Sequence, residues 1–338
     1  MGHVSRSLAV AKELRRQKPE ARIVFLTTSI AVHLVYREGF VCHHVPPSAL
    51  LGEGGSTVIW NRLFYRSVAA ALATHRAGVL VFDGSAPYIG LQRVMQRFRS
   101  VRYVWIKRGL YKASIDQQRL NQQLALFDRV IVPGEFGGDS HPVAPCNHVS
   151  VVAPIVGMSR AEMLTAEQAR AHLRLNAKRP AVYVQLGAGN INGITDLQTS
   201  VVQVLRQNGY QVVVGQSPIA LQPRRSDEAD REIVDYPNSQ YFAAFDFAVL
   251  AAGYNSVCEA LSLGLPAIFI PNQATQADDQ ALRATLASTL GPYECVIDFS
   301  HDAFVAAVVK LFQRIESGCV FVDKRPNGAT EAAMRIIG

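Results

Sequence analysis

The sequence lacks any apolar run near the roughly 20 residues that a membrane-spanning helix needs. It also lacks a signal-peptide pattern, since a helix with a polar face begins directly after Met1. Charged residues are scarce, at 18% of 338, whereas apolar residues make up 49%. This balance excludes a largely disordered protein and predicts a globular, cytoplasmic one with more than one domain.

Cysteine is also scarce, and its spacing shows no pairing. The number of cysteines is odd, they lie far apart, and no Cys-x-x-Cys pair occurs, which excludes a disulfide framework and a cysteine zinc site. No Asp-x-Asp metal signature is present either, so neither a metal nor a cofactor is predicted. The five cysteines are Cys42, Cys146, Cys258, Cys295 and Cys319.

Acidic residues are missing between Asp83 and Asp116, where much of the net charge of +7 is concentrated. Two interpretations are open: a solvated helix face with a loop, or a surface that meets phosphates of a lipid or of a lipid-linked acceptor. No helix-turn-helix, RNA-recognition or zinc-finger pattern occurs, so no nucleic-acid partner is predicted. The basic residues are Arg93, Arg97, Arg99, Arg102, Lys107, Arg108 and Lys112.

Short apolar runs alternate with helical stretches along the chain. The runs are continuous in Val, Ile and Leu, which is typical of parallel strands buried on both faces. Strands are predicted at 22–28, 40–45, 78–84, 101–107, 128–134, 148–156, 180–190, 210–216, 245–253 and 265–272. Helices are predicted at 5–18, 56–75, 86–98, 116–127, 166–175, 195–208, 254–263, 276–289, 301–316 and 328–338.

A proline, a glycine and a polar stretch interrupt this alternation near 154–165. We therefore expect an N-terminal domain of 1–156 and a C-terminal domain of 157–338, each a doubly wound, Rossmann-like α/β domain. Ligands of such sheets bind at the carboxyl ends of the strands. We expect the two domains to face each other across a cleft, with the active site in that cleft.

The segment 245–284 carries the most chemical information. A buried strand ends at Gly253, and a helix then begins with Asn255 and Ser256 in its first turn. The N–H groups and dipole of a helix start attract an anion such as a diphosphate. Glu259 lies on the same helix face as Asn255, where its carboxylate can accept both hydroxyls of a ribose.

The next loop ends in Asp278, Asp279 and Gln280 and returns to the same sheet edge, where a sugar on the diphosphate would lie. An ordinary strand–helix–strand unit with a polar surface loop is the alternative. The convergence of several polar positions on one edge favours a binding site.

The segment resembles the donor-binding half of GT-B glycosyltransferases, above all glycosyltransferase family 28, which includes the enzyme that adds N-acetylglucosamine in lipid II synthesis. The family pattern is Gly-x-x-[Ser/Thr]-x-x-Glu-Ala, then Gly-x-Pro-x-x-x-x-Pro, then an Asp/Gln loop. The resemblance implies that Glu259 holds the ribose and that Asp279 and Gln280 touch the donor sugar. The matching residues are Gly253, Ser256, Glu259, Ala260, Gly264, Pro266, Pro271, Asp279 and Gln280.

Two further stretches of the second domain fit this resemblance. A Gly-rich loop follows the strand at 180–190, where the family has a loop that lines the diphosphate, although Gly-x-Gly also occurs in ordinary turns. Gln216, in the stretch 213–221, occupies the place of the loop near the nucleobase. The donor-binding residues expected in the Gly-rich loop are Gly187, Ala188, Gly189 and Asn190.

The start of the chain resembles the Gly-x-Gly-His helix start of the family. His3 is the first candidate for the general base, because imidazole titrates near neutral pH. Asp83, at the end of the strand 78–84, is the second, and either residue is alternatively a helix cap. Arg6, Lys107 and Arg108 are candidates for contacts with phosphate or with an anionic acceptor.

The resemblance implies a transferase, and one absence indicates its stereochemistry. Retaining GT-B enzymes often carry a Glu-x7-Glu pair, but Ala251 and Ala267 stand eight residues either side of Glu259. We therefore expect an inverting, metal-independent transfer from a nucleotide sugar, a UDP-sugar for preference, which acts as co-substrate. The hydroxyl acceptor is expected to be lipid-linked or a cell-surface polysaccharide precursor.

The protein is expected in the cytoplasm, in peripheral contact with an anionic membrane at the inner face of the plasma membrane. The alternative function on the same fold is a UDP-sugar hydrolase or 2-epimerase. Such an enzyme needs further carboxylates around the sugar, for which Glu135, Asp278 and Asp279 are the candidates.

No strand precedes the helix that begins near Gly2, although in this kind of fold one should. In the doubly wound order, the first strand lies centrally in its sheet. We therefore predict a gap in the first sheet between 22–28 and 78–84, and expect Met1 to be an internal residue of a longer chain or a misassigned start.

Overall fold

The chain divides into two compact units in the computed structural model. Unit 1 consists of Met1–Gly134, Ser140–Ile155 and Pro326–Gly338, and unit 2 consists of Glu135–Asp139 and Val156–Arg325. The residues that the structure describes are 2–48, 56–108, 110–136, 147–187, 195–218, 228–275 and 277–338.

Unit 1 contains two parallel sheets. One pairs β1 (Val24–Thr27) with β2 (Val41–His44), and the other has four strands in the order β3-β4-β5-β6. These strands are β3 (Val79–Asp83), β4 (Arg102–Ile106), β5 (Arg129–Pro133) and β6 (Val149–Val152). The helices between them are α1 (Gly2–Gln17), α2 (Val32–Arg37), α3 (Thr57–His75), α4 (Ile89–Arg97) and α5 (Gln117–Leu124).

The predicted gap in the first sheet is confirmed within the described ranges, because no strand pairing joins β1 to β3. Each of these strands is hydrogen-bonded to a neighbouring strand on one side only. Val79 and Val81 of β3 remain 37% and 38% exposed, although strands of a doubly wound sheet are normally buried.

The four-stranded sheet of unit 1 is covered by helices on both faces. Successive side chains of a strand point to opposite faces, so Trp105 packs in the core formed with α3 and α4. Its neighbours Val104 and Ile106 belong to the other core, with residues of α1 and of the last helix of the chain. This two-sided burial explains the continuous apolar run at 101–107.

The last helix, α11 (Gly328–Ile337), belongs to unit 1, whereas the predicted C-terminal domain of 157–338 included it. It lies beside α1, and its start touches the loop after β6. A Cβ at Gly328 would lie 1.8 Å from the Ala153 carbonyl oxygen, so only glycine allows this approach. Glu331 also accepts a hydrogen bond from the Ala153 N–H at 3.1 Å. An amphipathic helix covers either sheet equally well, so the sequence pattern did not reveal which one.

Unit 2 is a six-stranded parallel sheet in the order β12-β11-β10-β7-β8-β9, with apolar cores on both faces. The order reverses at the pair β7 and β10, and the carboxyl ends of such a pair form the usual ligand crevice. The strands are β7 (Ala181–Gln185), β8 (Gln211–Gly215), β9 (Arg231–Ile233), β10 (Phe247–Ala251), β11 (Ala267–Ile270) and β12 (Tyr293–Cys295). The helices are α6 (Ala166–His172), α7 (Thr195–Gln207), α8 (Tyr254–Leu263), α9 (Gln280–Ser288) and α10 (His301–Glu316).

Every predicted helix and strand has a counterpart in the structure, while the short elements α2, β9 and β12 were not predicted. Among the helices of the described ranges, none has both the length and the apolar character that crossing a bilayer requires.

Candidate active site

The two candidates for the general base, His3 and Asp83, form a hydrogen-bonded pair in unit 1. His3 lies in the first turn of α1, and Asp83 is the last residue of β3. Nδ1 of His3 is 2.6 Å from Oδ1 of Asp83. The carboxylate side chain is only 5% exposed, whereas the imidazole side chain is 41% exposed. The more accessible imidazole is therefore the better placed of the two to reach a substrate.

Arg6 was predicted to contact phosphate, but the structure places its guanidinium on Asp83. Nε of Arg6 donates to Oδ2 of Asp83 at 2.9 Å, and a terminal nitrogen of the same guanidinium contacts Oδ1. The hydroxyl of Ser7 donates to Oδ2 at 3.3 Å. A buried carboxylate requires a charged or hydrogen-bonding partner, and Arg6 supplies it. The contact of Arg6 with phosphate stays a prediction.

These contacts determine which member of the pair can accept a proton. Burial alone would raise the pKa of Asp83, but the charges and hydrogen bonds of Arg6 and His3 lower it to about 2. Asp83 is therefore a carboxylate at neutral pH and a poor general base. It accepts a hydrogen bond from Nδ1–H of His3, which leaves Nε2 as the nitrogen that can take a proton from a substrate.

Lys107 and Arg108 were both predicted to contact an anionic acceptor, and the structure separates them. Lys107 is fully buried, and its Nζ donates to the Arg108 carbonyl at 3.3 Å and lies 4.6 Å from the ring centre of Tyr111. Burial lowers the pKa of Lys107 to about 8. It follows directly after β4, which is buried on both faces, and this position accounts for its burial. The contact of Lys107 with an anionic acceptor stays a prediction. Arg108 is half-buried and donates to the hydroxyl of Ser85 at 3.3 Å.

In unit 2, the turn between β10 and α8 forms an open helix N-terminus. Gly253 is the N-cap residue and supplies no side-chain cap. A Cβ at Gly253 would meet no atom within 4 Å, so the space beside the turn is open. Asn255 and Ser256 lie half-buried in the first turn of α8. This geometry suits an anion that approaches the first N–H groups of the helix.

Glu259 lies one turn further along α8 and is half-buried. No hydrogen bond or ion pair reaches its carboxylate from any residue in the described ranges. Burial raises the pKa of Glu259 to about 7. A partly desolvated carboxylate without a partner is costly for the free protein, and such groups occur where a ligand supplies the missing hydrogen bonds.

Asp279 and Gln280 follow the loop after β11, and both have structural partners. Asp279 is the N-cap residue of α9, where Oδ1 accepts the Leu282 N–H at 3.0 Å. Oε1 of Gln280 accepts the Asn272 N–H at 3.0 Å. These bonds hold the loop against the start of α9 and engage one carboxylate oxygen of Asp279 and the amide oxygen of Gln280.

The residues predicted near the diphosphate and the nucleobase lie beyond β7 and β8. Gly187 has a φ of +108°, in a region that favours glycine. Ala188, Gly189 and Asn190 lie outside the described residues. Nε2 of Gln216 donates to Glu232 of β9 at 2.9 Å.

A buried arginine of α9, Arg283, is the polar residue of this region that sequence reasoning missed. It is fully buried and forms ion pairs at 2.8 Å with Glu135 and Asp278. In the sequence, only the neighbouring apolar residue Ala284 of α9 could have indicated that Arg283 is buried. Glu135 and Asp278, two of the three carboxylates named for a hydrolase or epimerase, are therefore engaged with Arg283.

Known proteins share sequence similarity with this part of the chain. The family model described as "Glycosyltransferase family 28 C-terminal domain" matches residues 168–316, which include Glu259 and Gln280. A relative from a Nocardioides species is 28% identical over 289 residues, which cover 80% of this chain and 75% of that relative. Its name is UDP-N-acetylglucosamine–N-acetylmuramyl-(pentapeptide) pyrophosphoryl-undecaprenol N-acetylglucosamine transferase. A relative of the same name from Clavibacter sepedonicus is 27% identical over 339 residues, covering 92% of this chain and 84% of that relative.

The chain is a glycosyltransferase that resembles family 28.

Solved structures confirm the GT-B fold of this glycosyltransferase. The glycotransferase of kitacinnamycin matches with a TM-score of 0.63 at 16% identity, covering 98% of this chain and 94% of that one. MurG of Acinetobacter baumannii matches with a TM-score of 0.55 at 14% identity, covering 99% of this chain and 91% of that one. The fold and enzyme class implied by the sequence resemblance are thus confirmed, and the hydrolase or epimerase alternative is not favoured.

Proposed function

We propose that this glycosyltransferase moves a sugar, with inversion and without a metal, from a UDP-sugar to a hydroxyl of a lipid-linked acceptor. The single observation that carries the chemistry is the His3–Asp83 pair, because it supplies a general base held in one tautomer. The names of the relatives support the substrate classes, since they specify a UDP-N-acetylglucosamine donor and a pyrophosphoryl-undecaprenol acceptor.

In the proposed reaction, Nε2 of His3 removes the proton of the acceptor hydroxyl while its oxygen attacks the anomeric carbon. The bond between that carbon and the diphosphate oxygen breaks, and the nucleoside diphosphate leaves with the bonding electron pair. The ionised Asp83 stabilises the imidazolium that forms. The buried Arg6 in turn keeps Asp83 ionised and correctly oriented.

For the donor, the open N-terminus of α8 is proposed to hold the diphosphate. Its N–H groups stabilise the negative charge that grows on the leaving group. Glu259 accepts the two ribose hydroxyls, which provide the hydrogen bonds that its carboxylate lacks among the described residues. Asp279 and Gln280 contact the sugar, and Gln216 and the loop that begins with Gly187 serve the nucleobase and diphosphate.

A surface on α3 and α4 supports peripheral binding to an anionic membrane, and we name it the α3–α4 face. Neither helix contains an acidic residue. The helices pack closely, since a Cβ at Gly90 would lie 2.5 Å from the Asn61 carbonyl oxygen. The exposed residues of this face are the apolar Val58, Ile59, Leu63, Tyr88 and Ile89 and the basic Arg62, Arg66, Arg93 and Arg97.

Apolar side chains mixed with arginines and without acids suit the boundary between lipid chains and anionic headgroups. The part of the basic run that lies on α4 is therefore assigned to the membrane. This supports a place at the inner face of the plasma membrane, where a lipid-linked acceptor would be met.

The proposed function is tested by measuring transfer from UDP-N-acetylglucosamine to a polyprenyl-diphosphate-linked sugar in anionic vesicles, with and without acceptor. We expect UDP release that depends on the acceptor, and thermal stabilisation by UDP but not by ADP, GDP or dTDP. Stoichiometric release of free sugar or of an epimer without acceptor would overturn the transferase assignment and favour the hydrolase or epimerase.

A further inference from the structure

Arg283 connects three separate segments of unit 2. Its Nε and one terminal nitrogen each donate to a carboxylate oxygen of Glu135 at 2.8 Å. The same terminal nitrogen donates to Oδ1 of Asp278 at 2.8 Å. The other terminal nitrogen donates to the Ala252 carbonyl at 3.1 Å. The guanidinium thus holds two carboxylates and one backbone oxygen, and its side chain is fully buried.

The charge balance of this cluster indicates a role beyond stability. Burial would lower the pKa of Arg283, but the charges of Glu135 and Asp278 raise it, so the guanidinium stays charged. Taking three charges out of water is costly, and apolar residues of similar volume often stabilise a protein equally well. What the charged cluster supplies that apolar residues cannot is directional bonding to three chosen partners.

The three partners are placed where the donor is proposed to bind. Ala252 immediately precedes Gly253, the N-cap residue at the open start of α8. Asp278 immediately precedes Asp279 and Gln280, which the proposed function assigns to the donor sugar. Arg283 therefore ties the turn assigned to the diphosphate to the loop assigned to the sugar, through a single rigid group.

We propose that Arg283 is a positioning residue that fixes the diphosphate turn and the sugar loop at one spacing, so that the protein distinguishes a nucleotide sugar from the nucleotide alone. This inference rests on the proposed function. Arg283 does not touch the donor. It acts through the Ala252 carbonyl and the Asp278 carboxylate, whose neighbours in the chain do.

The test must remove the hydrogen bonds of Arg283 without leaving a buried charged side chain unpaired. Arg283→Met alone would leave two unpaired buried carboxylates and could fail to fold. The triple variant Glu135→Gln/Asp278→Asn/Arg283→Met replaces the cluster with neutral side chains of similar size. Arg283→Lys keeps the charge but loses the bidentate geometry. The matched control is Arg170→Met/Asp246→Asn, an ion pair of 3.3 Å at the opposite, amino end of β10.

Calorimetry with UDP and with UDP-N-acetylglucosamine gives the decisive readout, together with kcat and KM. In the triple variant we expect the Kd for UDP to change little, while the advantage of the nucleotide sugar over UDP disappears. We expect kcat to fall up to about 100-fold, because small displacements of a bound substrate have effects of that size. Arg283→Lys should recover part of the discrimination, and the control pair should behave as the wild type.

Two outcomes would overturn the inference. One is a triple variant that discriminates and turns over as the wild type does. The other is an equal loss of affinity for both ligands in parallel with a loss of thermal stability, which would indicate a purely structural cluster. If the wild type binds no nucleotide sugar, the proposed function and this inference are both refuted. Measuring the wild type first therefore distinguishes this failure from a failure of the inference alone.

Discussion

The carboxylate of Asp83 holds the imidazole of His3 at 2.6 Å, across 80 residues of sequence. The end of β3 and the first turn of α1 bring them together in unit 1. Because Arg6 and His3 keep the pKa of the carboxyl near 2, the two residues have different roles rather than competing for the same one. The pair is a base with its orienting anion.

Replacing Asp83, the orienting anion, should lower kcat for sugar transfer without abolishing donor binding. In Asp83→Asn the carboxamide no longer fixes the His3 tautomer or stabilises the imidazolium, so we expect kcat to fall by about 1,000-fold with little change in the donor Kd. The measurement is steady-state transfer together with calorimetric UDP binding.

His3→Ala and the double variant serve as controls for this prediction. Because the two residues act as a unit, the double variant should be no slower than His3→Ala. A loss below tenfold in Asp83→Asn, with normal thermal stability, would show that Asp83 does not orient the base, and a loss below tenfold in His3→Ala would show that another group is the base.

Glu259 should make donor binding pH-dependent. Its pKa of about 7 lies above the ordinary carboxyl value of 4.5, so ionisation becomes harder on folding and the free protein loses stability as pH rises from 4.5 to 7. The ionised form accepts the ribose hydroxyls, so affinity for UDP-N-acetylglucosamine should increase through pH 7 and level off above 8.

Glu259→Gln tests this assignment, because it keeps the shape of the side chain and cannot ionise. We expect this variant to melt at a higher temperature than the wild type at pH 8, to bind the donor about tenfold more weakly, and to show no titration near pH 7. Unchanged pH dependence of donor affinity in the variant would assign the titration to a different group.

The reliability of sequence reasoning differs between local and distant features of this site. The unit from β10 through α8 to β11 was predictable, because a buried strand, Gly253 and a helix that ends at Gly264 are encoded within about 25 adjacent residues. The pairing of His3 with Asp83, in contrast, depends on which strand lies beside α1, and no local pattern encodes that.

The burial of two basic residues was also not predicted from the sequence. Lys107 and Arg283 are basic residues that a sequence reader assigns to the surface, yet both are fully buried. Their burial follows from tertiary packing: Lys107 follows a strand covered on both faces, and Arg283 is compensated by acids 148 and 5 residues away. Only the folded chain brings such partners together.

Lys107 should be a source of instability at neutral pH. Burial lowers its pKa from 10.5 to about 8, so the folded state holds the proton less well than the unfolded chain does. Stability should therefore increase as pH rises from 8 to 10.5.

Lys107→Met should be more stable than the wild type at pH 7, by about 3 kcal/mol if the whole shift is relieved. Urea unfolding at pH 7 and pH 10 measures this, and the difference should shrink at the higher pH. Lys310→Met is the control, since Lys310 is exposed. A variant that is less stable than the wild type at pH 7 would contradict the prediction and indicate an ionic partner for Lys107.

The α3–α4 face should bind anionic membranes through two separable contributions. Ile59→Ser/Leu63→Ser/Ile89→Ser removes exposed apolar side chains and should weaken binding to every vesicle. Arg62→Gln/Arg66→Gln/Arg93→Gln removes three of the four charges, at about 1 kcal/mol per arginine, so it should weaken binding to anionic vesicles alone and reduce the salt dependence. Flotation with phosphatidylcholine vesicles, with and without phosphatidylglycerol, separates the two contributions.

Met334→Ser, at a residue 53% exposed on α11, is the control and should float as the wild type does. Equal flotation of the wild type on neutral and anionic vesicles would refute the electrostatic contribution. Full flotation of both triple variants would show that the membrane meets a different surface.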